Sequence, residues 1–292
     1  MFQQLLPIIL PVVVCTLVGL VWAWLKVPLD REFMTRLIMN IGTPCLILQG
    51  IAGLPPGDDG FLLMVALGVA VHLGCAVVGG AALRLLGQPA RSYLPVLMFG
   101  NATNVGLPLC MFAFGPEGLG LGVGHVLVGS VGQFVFGPLF QGRQSAWSTL
   151  LRTPVIYAAA LGLLMHMAGV RLPLWATNTV GLLGGLAIPM MLLALGHALA
   201  TIRPSNLPVA TGLGVARIVC GFLLALGLVE ALGLEGTQRG VLLIQSAMPV
   251  AIFNYLFAAR YERHPEEVAS AIVTSTAVSF LTLPALVAFA LG

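Results

Sequence analysis

Charged residues are scarce in this sequence of 292 residues. Asp, Glu, Lys and Arg make up 8% of the chain, whereas hydrophobic residues make up 59% and the mean hydropathy is +1.03. A soluble domain of this length would have too few charges to cover its surface, so the composition excludes a soluble protein. The chain is predicted to be an all-α integral membrane protein with several spans.

Signals of several other protein classes are missing as well. The 13 basic residues are scattered singly, which argues against a nucleic-acid partner. All five cysteines lie in apolar segments, where cysteine is usually a small packing residue, so we expect no disulfide framework, metal site or cofactor. There is no nucleotide-binding loop, His-Glu-x-x-His motif or Gly-x-Ser-x-Gly motif, which makes an intramembrane enzyme the less favoured class.

Turn and charge signals divide the apolar sequence into segments of about 20 residues, the length that crosses a bilayer as a helix. The ten predicted spans are 5–25, 33–54, 61–86, 92–115, 119–140, 152–170, 175–200, 207–232, 238–260 and 266–291. The first has no basic residues before it and is interpreted as a span, not as a cleaved signal peptide. The most polar connection between the predicted spans lies at 141–151 and is predicted to be a cytoplasmic linker. It divides the chain into a first five-helix repeat at 1–140 and a second repeat at 152–292.

The basic residues predict the orientation of the chain. With the N-terminus outside, the cytoplasmic connections hold Lys26, Arg31, Arg36, Arg84, Arg91, Arg143, Arg152, Arg203, Arg260 and Arg263. The outer connections hold Arg171 and Arg239, together with the acidic pair Asp58 and Asp59. This bias fits the rule that cytoplasmic loops are rich in Lys and Arg. Ten spans then place both termini outside.

The two halves of the sequence resemble each other at offsets of 145 to 148 residues. The matched pairs are Pro44 with Pro189, His72 with Arg217, Cys75 with Cys220, Pro138 with Pro284, and Arg91 with Arg239. Five spans per repeat give the two repeats opposite orientations in the membrane, which is the inverted-repeat plan of secondary transporters.

Two of the matched segments are interrupted in the middle by polar residues and proline. Residues 101–108 read Asn-Ala-Thr-Asn-Val-Gly-Leu-Pro, and residues 244–254 read Ile-Gln-Ser-Ala-Met-Pro-Val-Ala-Ile-Phe-Asn. At the repeat offset Asn104 falls on Pro249. Such breaks survive at membrane depth only where they are buried in protein or line a cavity. We therefore expect spans 4 and 9 to cross at their breaks, where positive N-terminal helix ends can hold an anion.

The tract Gly100-Asn-Ala-Thr-Asn-Val-Gly-Leu-Pro-Leu109, followed by Ser246-Ala-Met-Pro-Val-Ala251, closely resembles the auxin efflux carrier family. That family includes plant auxin exporters and bacterial malonate or malate permeases. The resemblance implies a fold similar to sodium/proton antiporters and bile-acid symporters. It also implies a scaffold of spans 1, 2, 6 and 7 that often forms a dimer, and a moving domain of spans 3–5 and 8–10. The expected location is a bacterial cytoplasmic (inner) membrane.

Candidate substrate-binding residues cluster at the two breaks and on the neighbouring spans. They are Asn101, Asn104, Pro108, Gln133, Arg217, Gln245, Ser246, Met248, Pro249 and Asn254. The amides either contact the substrate or replace backbone hydrogen bonds that the breaks remove, and the two roles are compatible. The prolines are expected to shape the breaks, because proline has no N–H to donate.

Arg217 lies near the centre of span 8, and no carboxylate is expected at matching depth. Insertion of an arginine there costs about 2.5–3.5 kcal/mol, so its side chain must face protein or water. It either binds backbone carbonyls of a broken helix or attracts an anionic substrate. The histidines inside the predicted spans, His72 among them, either titrate or are hydrogen-bonded packing residues, and the packing role is expected.

These features predict a secondary transporter of small organic anions with an elevator-type mechanism. All ten acidic residues lie in or near connections, whereas cation-coupled relatives of the fold commonly use intramembrane carboxylates. Export of an anion, or transport linked to protons, is therefore favoured over coupling to sodium. A sodium-coupled organic-anion symporter of the bile-acid type is the main alternative, followed by a channel and by a receptor that does not transport.

Overall fold

The computed structural model describes residues 2–55, 59–141, 153–202 and 205–292. Within these ranges the chain is helical, and its only β-type pairing is an isolated bridge between Gly100 and Val250. The α-helices are α1 Phe2–Trp24, α2 Arg31–Leu37, α3 Thr43–Ala52, α4 Gly60–Leu85, α5 Ala90–Met98, α6 Leu107–Gln141, α7 Pro154–Met167, α8 Leu174–Thr201, α9 Leu207–Leu232, α10 Gly236–Ser246, α11 Phe253–Arg260 and α12 Pro265–Leu291. The predicted linker beyond Gln141 lies outside the described residues, as do Asp58, Arg143, Arg152 and Arg203.

Six helical stretches among the described residues are long and apolar enough to cross a membrane. They are Gln4–Trp24, Gly60–Leu85, Ala102–Gln133, Leu174–Thr201, Leu207–Leu232 and Pro265–Leu291. The shorter helix α7 is also apolar. Since every backbone group in lipid must be hydrogen-bonded, long helices of this kind define an integral membrane protein. The all-α membrane class is confirmed, and the count of ten crossings stays a prediction.

Pro44 is accommodated by a change of helix type. Helix α2 continues through a π-helical segment, Ile38–Gly42, into α3, and Pro44 stands in the first turn of α3. The Thr43 N–H donates to the Ile38 carbonyl, five residues back, as in a π-helix. This wider helical turn comes directly before Pro44, which has no N–H to donate. Its predicted repeat partner, Pro189, lies inside the long helix α8.

Where the sequence predicts a connection between spans 4 and 5, the structure has a kink at a single residue of α6. Gly115 has φ 64° and ψ −153° and interrupts the helical path within α6. Residues with a side chain rarely adopt this backbone conformation, so the glycine permits the change of direction. A second π-helical segment, Ala102–Gly106, leads into α6 at its other end.

The helices form two groups according to which helices they contact. In one group α8 packs on α1 and α3, and α3 packs on α7. In the other, α4 packs on α5, α6 and α9, while α10 packs on α6, α9 and α12. The groups meet where α6 packs against α1 and α3.

Glycines bring α1 and α8 into backbone contact. A Cβ atom on Gly19 would collide with the carbonyl oxygen of Leu193, and one on Gly196 would collide with that of Thr16. Small residues allow membrane helices to approach this closely, and the approach increases van der Waals contact. The α1–α8 interface therefore requires residues without a Cβ atom at these two positions.

We expect Gly196→Ala to destabilise the protein by about 1–3 kcal/mol, because the added methyl overpacks a backbone contact. Thermal unfolding in detergent measures the effect as a lower melting temperature. Gly181→Ala is the matched control, because Gly181 lies on the same helix with no atom within 4 Å of an added Cβ. Equal melting temperatures for the two variants would contradict close packing at Gly196.

Candidate functional site

The two broken segments are hydrogen-bonded to each other at their breaks. The chain between α5 and the π-helical segment runs antiparallel to the chain between α10 and α11. The Asn101 N–H donates to the Pro249 carbonyl at 2.6 Å, and the Ala251 N–H donates to the Phe99 carbonyl at 3.1 Å. Each break thus satisfies backbone groups of the other, as lipid-embedded backbone requires. We call residues 99–101 and 247–252 the crossing.

Side chains fasten the crossing on both sides. The Asn254 Nδ2 donates to the Phe99 carbonyl at 3.1 Å, and the Gln133 Nε2 donates to the Asn254 Oδ1 at 3.2 Å. The Val250 N–H donates to the Ser275 hydroxyl at 3.1 Å. Asn254 is 1% exposed and has both ends of its amide engaged. Its geometry is that of a structural clamp.

Arg217 holds the end of helix α10. Its Nη1 donates to the Ser246 carbonyl at 3.0 Å, and the side chain is 1% exposed. Ser246 is the last residue of α10, where the helix dipole is negative, so a guanidinium there is stabilised. A Cβ atom on Gly100 or Gly221 would collide with the guanidinium, so both glycines make room for it. This contact is the one that the structural interpretation of Arg217 predicts.

A cavity of about 270 Å³ lies between the two helix groups, and we call it the large cavity. Its polar side chains near the crossing are Thr103, Asn104, Ser130 and Gln133. Most of its remaining wall is apolar and includes Met34, Ile38, Met39, Met191, Phe253 and Leu256. No carboxylate occurs among its described lining residues. The cavity thus suits a small molecule with a polar end and an apolar body.

A second cavity of about 20 Å³ adjoins it, and we call it the small cavity. The two cavities share Thr103, Ser130 and Gln133 in their walls. The small cavity is also lined by His72, His125 and Arg217, so the histidine–arginine pair of the repeat alignment meets there. The His72 Nδ1 donates to the Gly68 carbonyl at 2.7 Å, which agrees with the packing role expected of this histidine.

The structure divides the predicted site residues into three sets. Asn104 and Gln133 line the large cavity, and Gln133 and Arg217 line the small one. Asn254 fastens the crossing, and Pro108 lies in the first turn of α6. The remaining five are buried and line neither cavity; the set is Asn101, Gln245, Ser246, Met248 and Pro249.

Gln245 lies behind the crossing, between the helix faces of Gly106 and Gly122. A Cβ atom on either glycine would collide with its amide. Neither its Oε1 nor its Nε2 has a hydrogen-bond partner among the described residues. Gln245 lines neither cavity, so its amide is not part of the wall of either one.

Sequence reasoning missed two hydroxyl residues at the junction of the cavities. Thr103 lies beside Asn104 in the first break, and Ser130 lies three residues before Gln133 on α6. Residues three apart share a helix face, so the assignment of Gln133 to the interior already implied that Ser130 faces the same way. Ser275 was also missed, because the position of a serine in an apolar helix does not indicate which distant backbone group its hydroxyl will contact.

Apolar helices, a hydrogen-bonded pair of broken segments and a cavity at their crossing define the class as multi-pass membrane transport protein. A family model described as membrane transport protein matches residues 141–287. The chain belongs to the auxin efflux carrier family, which confirms the resemblance found in its motifs.

Individual relatives are similar at low identity. The chain is 23% identical over 272 residues to the uncharacterized transporter MJ1031 of Methanocaldococcus jannaschii, covering 86% of this chain and 87% of that protein. It is 27% identical over 135 residues to auxin efflux carrier component 3a of Oryza sativa, covering 44% of this chain and 22% of the carrier. It is 27% identical over 150 residues to auxin efflux carrier component 2 of Arabidopsis thaliana, covering 48% and 22%. This chain thus matches less than a quarter of the length of these plant carriers.

We expect Asn254→Ala to lower the free energy of unfolding by about 1–3 kcal/mol, because buried groups of Phe99 and Gln133 lose their partner. Thermal unfolding in detergent without ligand measures this. Asn104→Ala, which removes an amide facing the large cavity, should leave the melting temperature near that of the unmodified protein. A stable Asn254→Ala variant would show that the clamp does not hold the crossing.

Proposed function

We propose that this chain is a secondary transporter that moves small organic anions across the cytoplasmic membrane of a bacterium. It has ten spans in two inverted repeats, binds its substrate at the crossing and works by an elevator-type movement of one helix group against the other. The observation that carries the proposal is the large cavity, which lies between the two groups and is bordered by the crossing.

The inverted repeat is supported by residues that the alignment pairs and the fold brings together. Cys75 on α4 and Cys220 on α9 are equivalent at the repeat offset, and these two helices pack against each other. His72 and Arg217 are equivalent at the same offset and line the same small cavity. Equivalent residues that meet must lie near the axis that relates the repeats, so α4 and α9 flank that axis.

An elevator movement is supported by the composition of the two helix groups. One consists of α1, α3, α7 and α8, which carry the predicted spans 1, 2, 6 and 7. The other carries spans 3–5 and 8–10 and contains the whole crossing. Because the crossing is hydrogen-bonded within the second group, that group can carry a bound substrate as one body. The first group is proposed to form the scaffold and a homodimer surface.

An anionic substrate is supported by the charges around the large cavity. Thr103 and Asn104 lie at the start of the helical segment that leads into α6, and Ile252 and Phe253 lie at the start of α11. Helix N-termini carry a partial positive charge, which favours anions. The described residues of the wall include no carboxylate. The two helix N-termini and the amide side chains therefore make the electrostatic potential in the large cavity favourable to an anion.

The apolar wall and the membrane potential refine the proposal. A carboxylate with an apolar body suits the large cavity, and the names of the plant relatives make an auxin-like carboxylate a candidate. Moving one negative charge out of a cytoplasm at −100 mV is favourable by about 2.3 kcal/mol. Export therefore needs no coupling ion, and import is proposed to use protons in preference to sodium.

Anion binding is tested by thermal stabilisation and liposome flux with malonate, malate and indole-acetate. We expect at least one carboxylate to stabilise the protein and to be transported without sodium. Asn104→Ala should weaken its binding about 10-fold, since a lost hydrogen bond to a charged group costs about 1.5 kcal/mol. Asn178→Ala, an amide exposed on α8, is the matched control. No response to any carboxylate would refute the substrate class, and a strict sodium requirement would refute the proposed coupling.

The elevator movement is tested by a reversible cross-link between the two groups. A Cβ atom on Gly53 lies 3.3 Å from the Cβ of Pro116, close to the spacing within a disulfide. In the Gly53→Cys/Pro116→Cys double variant, oxidation should abolish flux and reduction should restore it. Each single variant and the oxidised unmodified protein are the controls. Full flux through the cross-linked protein would rule out movement of one group past the other.

A further inference from the structure

The small cavity is lined by two buried residues that each have one nitrogen atom without a partner among the described residues. His125 and Arg217 line it and are each 1% exposed. The Nδ1 of His125 and the Nε of Arg217 have no hydrogen-bond partner among the described residues. Buried polar groups are rarely left unpaired, because each lost hydrogen bond costs free energy. Two such atoms beside one cavity point to a ligand.

The charge of the cavity favours an anion. The Arg217 guanidinium is buried, and its recorded hydrogen bond goes to a neutral backbone carbonyl of Ser246. No carboxylate lies among the described residues of the wall. Ala102 and Thr103, at the start of the helical segment that leads into α6, also line the cavity. The Arg217 guanidinium and a helix N-terminus thus both make the small cavity electrostatically positive, and no carboxylate among the described wall residues neutralises them.

The size of the cavity selects the kind of anion. Its volume of about 20 Å³ has room for one small body, such as a single water molecule or a single monatomic ion. An organic carboxylate, with three heavy atoms and a stem, does not fit as a whole. The hydroxyls of Thr103 and Ser130 also line the cavity, and hydroxyls rotate to donate to a bound ion.

We propose that the small cavity binds one monatomic inorganic anion of the halide type. The Arg217 guanidinium and the Thr103 and Ser130 hydroxyls hold it, and it neutralises the arginine inside the membrane. This ion is distinct from the organic anion of the large cavity.

The direct test is crystallography with bromide, whose anomalous scattering locates the ion. We expect a bromide peak in the small cavity between Arg217 and Ser130. In parallel, sodium chloride should raise the melting temperature of the substrate-free protein in a saturable way, relative to sodium gluconate at equal sodium concentration. A peak only in the large cavity or on the surface would overturn the proposal, as would a small cavity that holds only water in the presence of bromide.

Gly129→Ala tests the site without altering its charge. Gly129 lines the small cavity but not the large one, and an added Cβ would lie 3.2 Å from the His72 Nε2. The methyl takes up part of the space, so the chloride concentration that gives half of the stabilisation should rise at least 10-fold. Gly212→Ala, with no atom within 4 Å of its Cβ, is the matched control and should respond like the unmodified protein. Equal chloride responses in Gly129→Ala and Gly212→Ala would also overturn the proposal.

Discussion

Backbone hydrogen bonding inside the bilayer is the constraint on which this structure depends. Each of the two interrupted segments exposes N–H and C=O groups that lipid cannot satisfy. The structure meets this cost by pairing the interruptions, so that Asn101 and Ala251 donate to carbonyls of the opposite segment. Neither break could exist alone at this depth. The place where two helices are broken is therefore also the place where two distant parts of the chain are joined.

This pairing determines what the centre of the protein can bind. The chain before each break ends a helix, and the chain after it begins one, so helix ends of both signs converge. Arg217 occupies the negative end of α10, while the starts of the helical segments at Ala102 and Phe253 border the cavities. The arginine thus stabilises the end of α10 and also lines the small cavity, so one side chain takes part in both the fold and the central cavities.

Each of the two helix groups is held together by contacts of its own. The α1–α8 contact depends on glycines whose Cβ atoms would strike backbone, which leaves little freedom within that group. The crossing, the clamp at Asn254 and the hydroxyl of Ser275 tie the other group together. The large cavity lies where the groups face each other, so the proposed displacement between them would change access to it while the crossing stays intact.

The sequence alone determined the membrane class, the family, the two breaks and the candidacy of Asn104, Gln133 and Arg217. These follow from composition, helix length and polar residues in apolar segments, which are local properties of the chain. Only the tertiary structure decided that Asn254 is a clamp, that Gln245 is buried away from the cavity, and that Thr103 and Ser130 stand where the cavities meet. The physical reason is that a side chain's role depends on the partner opposite it, and that partner can be distant in the chain: Gln133 and Asn254 are 121 residues apart.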